Sequence, residues 1–448
     1  MSVYSGVPTF LLFLFLSFQS ISALAENTIV PLPEPLTLKV ALAQVTDKHP
    51  DIVGKFAALS LAEAELAESL SEDDATLDLL LQGRHIEPAE RALNQQHNDS
   101  RAKLILHKTL YDFGRSSQSV TAGESFVESR EKRLQLAKVR KQKEIMQRYF
   151  DVLLADLQFV VDDEANSIRF VRFDNDKERH ELGVISDVEL LELENAFQQQ
   201  RLKRQRSEDR QRQTRARLAL AINRPDQLSA ELETPAFPGN KTPLPEYKQL
   251  LKEAHNNNLT LQSLDDELDA LQSYRKAAKS ERLPRVYLQL EAAEYEREIG
   301  SRDPFTAILG LDVPLYQGGR TSALTAQASA RIVALKARYQ SADYKLRQDI
   351  LETMQNIQTL LLQAEQGEVL GDYRDLYLDR SRAHYELEMQ TDLGDAMTEQ
   401  SAARLFSMRT TLDLAIARET LVELTGNPAY SAFATMVDPN PSTIKELP

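Results

Sequence analysis

The residues able to do chemistry are few and poorly grouped. Seven histidines stand at His49, His85, His97, His107, His180, His255 and His384. None is four residues from another, the spacing that lets one helix face hold zinc. The chain has no cysteine, which removes disulfides, thiolate metal sites and an N-terminal lipid-anchored cysteine. It carries no phosphate-binding glycine loop and no nucleophile elbow. Asp112-Phe113-Gly114 spells the magnesium triplet of a kinase, but the lysine strand and catalytic loop are missing, and a strand-to-helix bend accounts for the glycine. The carboxylates that do gather are Asp187 with Glu189, and Asp392 with Asp395. Each pair stands at the start of a helical pattern, where negative charge favours the helix dipole. Asp392 and Asp395 are three apart, which places them on one helix face. No catalytic constellation and no cofactor site follows from these residues.

The elements around them come twice, about 205 residues apart. Leu110-Tyr111-Asp112-Phe113-Gly114-Arg115 returns as Leu315-Tyr316-Gln317-Gly318-Gly319-Arg320. Glu181-Leu182 returns as Glu386-Leu387, Asp187 as Asp392, and Asn223-Arg224-Pro225 as Gly426-Asn427-Pro428. The period is far beyond the ~20–50 residues of a solenoid, so the repeat points to internal pseudo-symmetry.

Phe10 to Phe18 is an apolar run of signal-peptide length, followed by Ala23-Leu24-Ala25 as a cleavage pattern, although the segment before it carries no Lys or Arg. No other stretch reaches the ~18 apolar residues of a spanning helix. Membrane insertion would therefore need strands or an attached lipid. The net charge of −15 argues against nucleic acid as a partner. The basic stretch Arg201 to Arg217 goes around its whole helix and reads as a solvated or ion-paired face.

After a lead with Pro31, Pro33 and Pro35, Leu36 to Leu70 reads as helix. Strand patterns follow at Ala75 to Arg84 and Arg101 to Leu110, and an unbroken helical pattern runs from Arg115 to about Arg179. Ile145, Tyr149, Val152 and Phe159 form its apolar stripe. Sixty-odd helical residues extend roughly 90–100 Å, which makes a rod. Ser186 caps the returning helix, with Glu189 as its capping-box partner, and Pro225 stops it. In the second copy Tyr247 to Leu283 is helix, Arg285 to Arg297 and Phe305 to Val313 are strands around a turn at Gly300-Ser301-Arg302-Asp303, and Arg320 to about Leu387 is the long helix. Ile350, Met354, Ile357 and Leu361 make its stripe, and the return helix spans Asp392 to Leu424. The organisation is thus a signal peptide at 1–25, a first repeat at 26–234, a proline-rich connector at 235–245, a second repeat at 246–428 and a loose tail at 429–448.

Val286, Leu288, Leu290 and Ala292 alternate with Arg285, Tyr287, Gln289 and Glu291. Phe305, Ala307, Leu309, Leu311 and Val313 alternate with Thr306, Ile308, Gly310 and Asp312. Strands with one apolar and one largely polar face fit outer-membrane barrel staves, and equally a half-buried hairpin of a soluble domain. The rod-length helices and the export signal favour the staves. Four strands cannot close a barrel, and an open edge cannot sit in lipid, so membrane strands would have to be shared between copies.

With these junction motifs, the duplicated strand-pair and long-helix units and the signal peptide, the chain resembles the TolC-type outer-membrane efflux family over essentially the whole mature length. The resemblance implies a mainly α protein with a membrane β-barrel: three protomers give four strands each to a twelve-stranded barrel in the outer membrane of a Gram-negative bacterium, and their helices form a periplasmic tunnel. It implies as partners a periplasmic adaptor (membrane fusion protein) and an inner-membrane pump of RND or ABC type, for small-molecule efflux or type I protein secretion. Adaptor contact at the hairpin tips falls on Leu182, Gly183 and Val184, and on Leu387, Glu388 and Met389, where the expected glycine is absent. A pore constriction falls on Asp187, Glu189, Asp392 and Asp395. Barrel-lumen positions fall on Arg285, Tyr287, Gln289, Glu291, Thr306 and Asp312. A trimer would carry −45, three times the chain's −15, a bias toward cations wherever it faces a lumen. The competing expectation is an exported coiled-coil scaffold or adaptor whose strands form a small soluble sheet.

Overall fold

The computed structural model describes residues 31–227, 229–297, 302–387 and 392–434. The first copy consists of α1 (Leu38–Leu42), α2 (Pro50–Ser71), β1 (Thr76–Gln82), β2 (Arg101–Tyr111), α3 (Arg115–Glu181) and α4 (Asp187–Ala221). The second consists of α5 (Tyr247–Asn257), α6 (Leu259–Ser280), β3 (Arg285–Tyr295), β4 (Phe305–Asp312), α7 (Arg320–Glu386) and α8 (Leu393–Thr425). Both α3 and α7 are 67 residues long, about 100 Å each. The expected signal peptide, Gly300 and Ser301 of the expected turn, and Glu388 and Met389 of the expected second tip lie outside the described residues.

Two expected helices are broken, for related reasons. The expected Leu36–Leu70 helix divides before Pro50, whose missing N–H suits the first turn of a new helix. His49 caps that turn: its Nδ1 accepts from the Asp51 amide at 3.2 Å, and its Nε2 lies 2.9 Å from the Ala221 carbonyl oxygen at the end of α4. The expected Tyr247–Leu283 helix divides at Asn258, whose side chain accepts from the Thr260 and Leu261 amides and donates to the Leu424 carbonyl at 3.0 Å. The same tie, from a helix cap to the end of a return helix, is therefore built twice from different residues.

The strand-to-helix junctions explain the repeated motif. Asp112 accepts from the amides of Gly114, Arg115 and Ser116 at 3.1, 3.0 and 2.7 Å, satisfying donors that the first turn of α3 leaves open. The second junction turns through Gly318 and Gly319, at φ +59° and +81°. The triplet that imitates a kinase motif is thus an N-terminal helix cap.

Helix α3 is the centre of the packing, against α2, α4, α6 and α8, while α7 packs on α6 and α8. Two related cores form where the helices meet the connector. One gathers Ile145, Tyr149, Val152, Leu218 and Leu412; the other gathers Leu250, Leu261, Ile350, Ile357 and Leu421. Phe159, expected on the first stripe, is only half-buried, with Arg204 over its ring. Each fully buried Leu or Ile contributes about 1.5–3 kcal/mol. The buried Tyr149 hydroxyl lies 2.6 Å from the carbonyl oxygens of Leu36 and Glu233, beside the parallel bridge of Leu36 with Leu232, and burial pushes its pKa up to about 12.

The connector is pinned. Fully buried Arg418 of α8 donates to the carbonyls of Asn240 and Thr242. The tail corrects its expectation as far as residue 434. Tyr430 is buried and donates to Glu253 at 2.8 Å, and Phe433 packs on Phe237 of the connector. Residues 435–448 lie outside the described residues.

Candidate functional site: the strand faces and the hairpin tips

The four strands form one antiparallel sheet in the order β1-β2-β3-β4. Its register lines up the alternation of every strand. Leu77, Leu106, Leu290 and Ala307 form one cross-strand row, and Leu79, Leu104, Ala292 and Phe305 the next. This face is open: Leu77, Leu79, Leu81, Leu104, Phe305, Leu309 and Leu311 are all exposed. A contiguous exposed apolar band marks a surface that meets another apolar phase. Strands β1 and β4 are the sheet's edges, each paired on one side only.

The opposite face collects every residue expected toward a lumen. Arg285 donates to Asp312 across β3 and β4 at 3.3 Å, and Glu291 is paired with Thr306 in the register and with Lys103 as an ion pair. Gln289 stands opposite His107, and the Tyr287 ring lies tilted against His107 with centroids 5.1 Å apart. Tyr287 also lies over Gly310, where a Cβ would come within 2.3 Å of its ring, so this row requires glycine. Leu80, Ile105 and Ile308 interrupt the polar face.

At the first tip, the Gly183 amide donates to His180 O at 2.8 Å and the Val184 amide to Arg179 O at 2.9 Å, closing α3 with Gly183 at φ +73°. Leu182 and Val184 are exposed, as is Leu387 at the end of α7. The capping box at the start of α4 is formed: the Ser186 amide donates to Glu189 at 2.8 Å, and that bond holds the Glu189 carboxyl below the usual range. Asp187 is 2.6 Å from His180 Nε2.

The four expected constriction carboxylates are not brought to one place within the chain. Asp392 is the N-cap of α8 and Asp395 lies in its first turn, and the two carboxylates take partners on different helices. Asp392 accepts from the Tyr377 hydroxyl of α7 at 2.8 Å, a bond that lowers its pKa. Asp395 accepts from Arg172 of α3 at 2.6 Å, beside the close approach of Gly394 to Ile168. Helix α3 runs on about nine residues past Arg172, roughly 14 Å. Asp187 and Glu189 therefore lie beyond the level of the second pair. Arg172 and Tyr377 were missed by sequence reasoning: Arg172 is 223 residues from its partner, and a lone arginine or tyrosine on a long helix carries no signal.

Residues 250–427 match the family model described as outer membrane efflux protein. That match spans 178 of the chain's 448 residues, all within the second repeat. A search of curated protein sequences finds no significant match. Similar solved structures include a membrane protein from Pseudomonas aeruginosa, 17% identical, with 88% of this chain and 91% of that chain covered and a TM-score of 0.69. The outer membrane protein VceC from Vibrio cholerae is 16% identical, with 87% and 96% covered and a TM-score of 0.67. The Campylobacter jejuni CmeC outer membrane channel is 14% identical, with 90% and 87% covered and a TM-score of 0.70. At these identities the structures establish the fold, which this chain shares with them through both repeats, including the first, which the family model does not reach.

Proposed function

We propose that the chain is one third of an outer-membrane duct that exports substrates passively, with energy supplied by an inner-membrane pump through a periplasmic adaptor. The observation that carries this reading is the sheet: two unpaired edges, one exposed apolar face and one polar face. Edges in lipid leave backbone groups unsatisfied at several kcal/mol each, so further copies must pair β4 of one chain with β1 of the next. Three copies give twelve strands, with the apolar band toward lipid and Arg285, Tyr287, Gln289, Glu291, Thr306 and Asp312 toward water.

A second observation supports self-assembly. On α7, Val333, Tyr344, Leu351, Leu362, Val369 and Leu376 are all exposed. Their intervals of 11, 7, 11, 7 and 7 residues keep to the 3.6-residue helical period, so they form one straight apolar stripe along the rod. A neighbouring chain's helices would cover it. The exposed tips at Leu182, Gly183, Val184 and Leu387 suit docking by an adaptor, and Glu388 and Met389 follow Leu387 in the sequence. Asp187, Glu189, Asp392 and Asp395 supply carboxylates near the periplasmic entrance.

The test is fractionation of the expressed protein followed by its mass in mild detergent. The reading expects a trimer near 144 kDa in the outer-membrane fraction, from mature chains of roughly 48 kDa, which is the 50.7 kDa chain less the first 25 residues at ~110 Da each. A soluble periplasmic monomer or dimer would replace it with the coiled-coil scaffold.

A further inference from the structure

The helices that join the two edge strands carry opposite charge. On the β1 side, α2 ends among Glu63, Glu65, Glu68, Glu72, Asp73 and Asp74, all exposed, and no Lys or Arg stands between Lys55 and Arg84. On the β4 side, α7 opens with Arg320, Arg331, Lys336 and Arg338, all exposed, and holds no carboxylate before Asp343. Glu68 and Glu72 at the end of α2, and Arg320 at the start of α7, each have the wrong sign for the helix dipole. Glu65, Glu68 and Glu72 also crowd one helix face at spacings of three and four, where like charges repel. Among the described residues none of the six carboxylates has an ion pair, and neither do Arg331 and Arg338. Arg320 lies 3.6 Å from Glu281, and Lys336 lines the groove between α6 and α7 with Asp265.

The chain already contains one ionic seam of this kind. Helices α2 and α6 are both 22 residues long and hold equivalent places in the two copies, as do α3 and α7. The long helix α3 packs against the short helix α6 of the other copy, and their ion pairs are Lys132 with Asp266, at 2.6 Å, and Arg133 with Glu267. Arg338 stands 205 residues after Arg133, the spacing of Arg320 from Arg115. The equivalent packing would set α7 against α2, but within one chain α7 packs on α5, α6 and α8. The levels along the two helices match. Counted away from the sheet, Arg331 is about 16 Å beyond Arg320 and Glu65 about 10 Å beyond Glu72, a difference an extended arginine spans. Leu61 and Val333, both exposed, follow at about 16 and 20 Å.

We infer that the basic start of α7 recognises the acidic end of α2 in a second copy of this chain, forming an ionic seam beside the strands that selects the neighbour and fixes its register. The inference rests on the duct reading, in which β4 of one chain pairs with β1 of the next. Because α2 runs into β1 and α7 leaves β4, that pairing lays the two helices side by side and antiparallel. The contact joins unlike surfaces, so it repeats head to tail and can close a ring. Arg331 meets Glu65 and Glu68, and Arg320 meets Glu72. Exposed pairs of this sort add little affinity each; their effect is to reject a partner or a register that sets like charges together.

The experiment uses the purified full-length protein in mild detergent at 0.1 M KCl, where the screening length is about 10 Å. The readout is the temperature at which the trimer dissociates, followed by mass. Arg331→Glu and Glu65→Lys should each lower that midpoint by about 3 °C or more, because three seams then hold like charges. The chain carrying both exchanges should return toward the unsubstituted midpoint. In 1 M KCl, with screening at about 3 Å, the differences should shrink. Unchanged midpoints in the two single exchanges overturn the seam and leave the duct standing. So does a double exchange that falls by the sum of the singles. Should a charge exchange give no trimer at all, Arg331→Gln and Glu65→Gln carry the test: additive shifts in their double variant overturn the seam, and non-additive shifts support it. An unsubstituted chain that forms no trimer refutes the duct and the seam with it.

Discussion

Replacing Leu309 with arginine tests the assignment of the two sheet faces most sharply. Leu309 is midway along β4, is 72% exposed and stands across from Leu288 on the apolar face. In a bilayer, an arginine on the lipid side near mid-depth costs about 2–4 kcal/mol per chain, falling toward zero at the interfaces. Since about 1.4 kcal/mol is tenfold, the folding equilibrium should fall by roughly thirtyfold to nearly a thousandfold. Gln289→Arg is the matched control: same sheet, neighbouring strand, opposite face, beside Ile308. It should cost little, because that face meets water. The assay is the urea midpoint of protein folded into lipid vesicles, with the yield of detergent-stable trimer as a second readout. In a soluble sheet, Leu309→Arg would remove an exposed leucine and leave stability unchanged or improved. Equal midpoints for Leu309→Arg and Gln289→Arg would therefore refute the lipid-facing band.

Three further outcomes follow from particular contacts. Burial pushes the Glu423 carboxyl up, but the hydrogen bonds from Lys143 and Arg140 outweigh it and hold the pKa below the usual value. Its stabilisation is thus present above about pH 4.3 and lost as pH falls through the lowered value. Glu423→Gln should cost about 1–3 kcal/mol at pH 7, with the gap to the unsubstituted chain closing below about pH 4 in urea titrations. A gap that persists at pH 3 would refute this tie between α3 and α8. Gly310→Ala should cost about 1–3 kcal/mol by displacing the Tyr287 ring, and Tyr287→Ala should relieve it. Additive costs in that double-mutant cycle would remove the contact. Asp395→Asn and Arg172→Gln should change stability by at most about 1 kcal/mol, because the pair is partly exposed. They should alter closed-channel conductance alike, and the double variant no further. An effect of Asp395→Asn alone would mean that its carboxylate acts on pore ions directly.

Much of this architecture is written locally, and local physics made it legible. Two runs of about 67 residues without proline are rods in any context, and Ser186 with Glu189 three positions on forms a capping box from sequence-neighbour geometry alone. Alternation along β3 and β4 assigned Arg285, Tyr287, Gln289, Glu291, Thr306 and Asp312 to one face, since a strand's two-residue period leaves no other choice. Short-range signals of lower contrast were misread. Asn258 looked like a residue inside a helix, and only the Leu424 carbonyl beside it shows why the chain breaks there. Alternation gives each strand two faces but not which strand pairs with which, so the continuous apolar band across Leu79, Leu104, Ala292 and Phe305 is a product of register. The carboxylates of the second tip were found in sequence, but their partners Tyr377 and Arg172 were not. The enclosure of Asp99 escaped notice for the same reason: Arg84 and Arg302 are ordinary loop residues until the sheet folds. Two strand ends some 200 residues apart then meet, and Asp99 is enclosed between arginines from both copies.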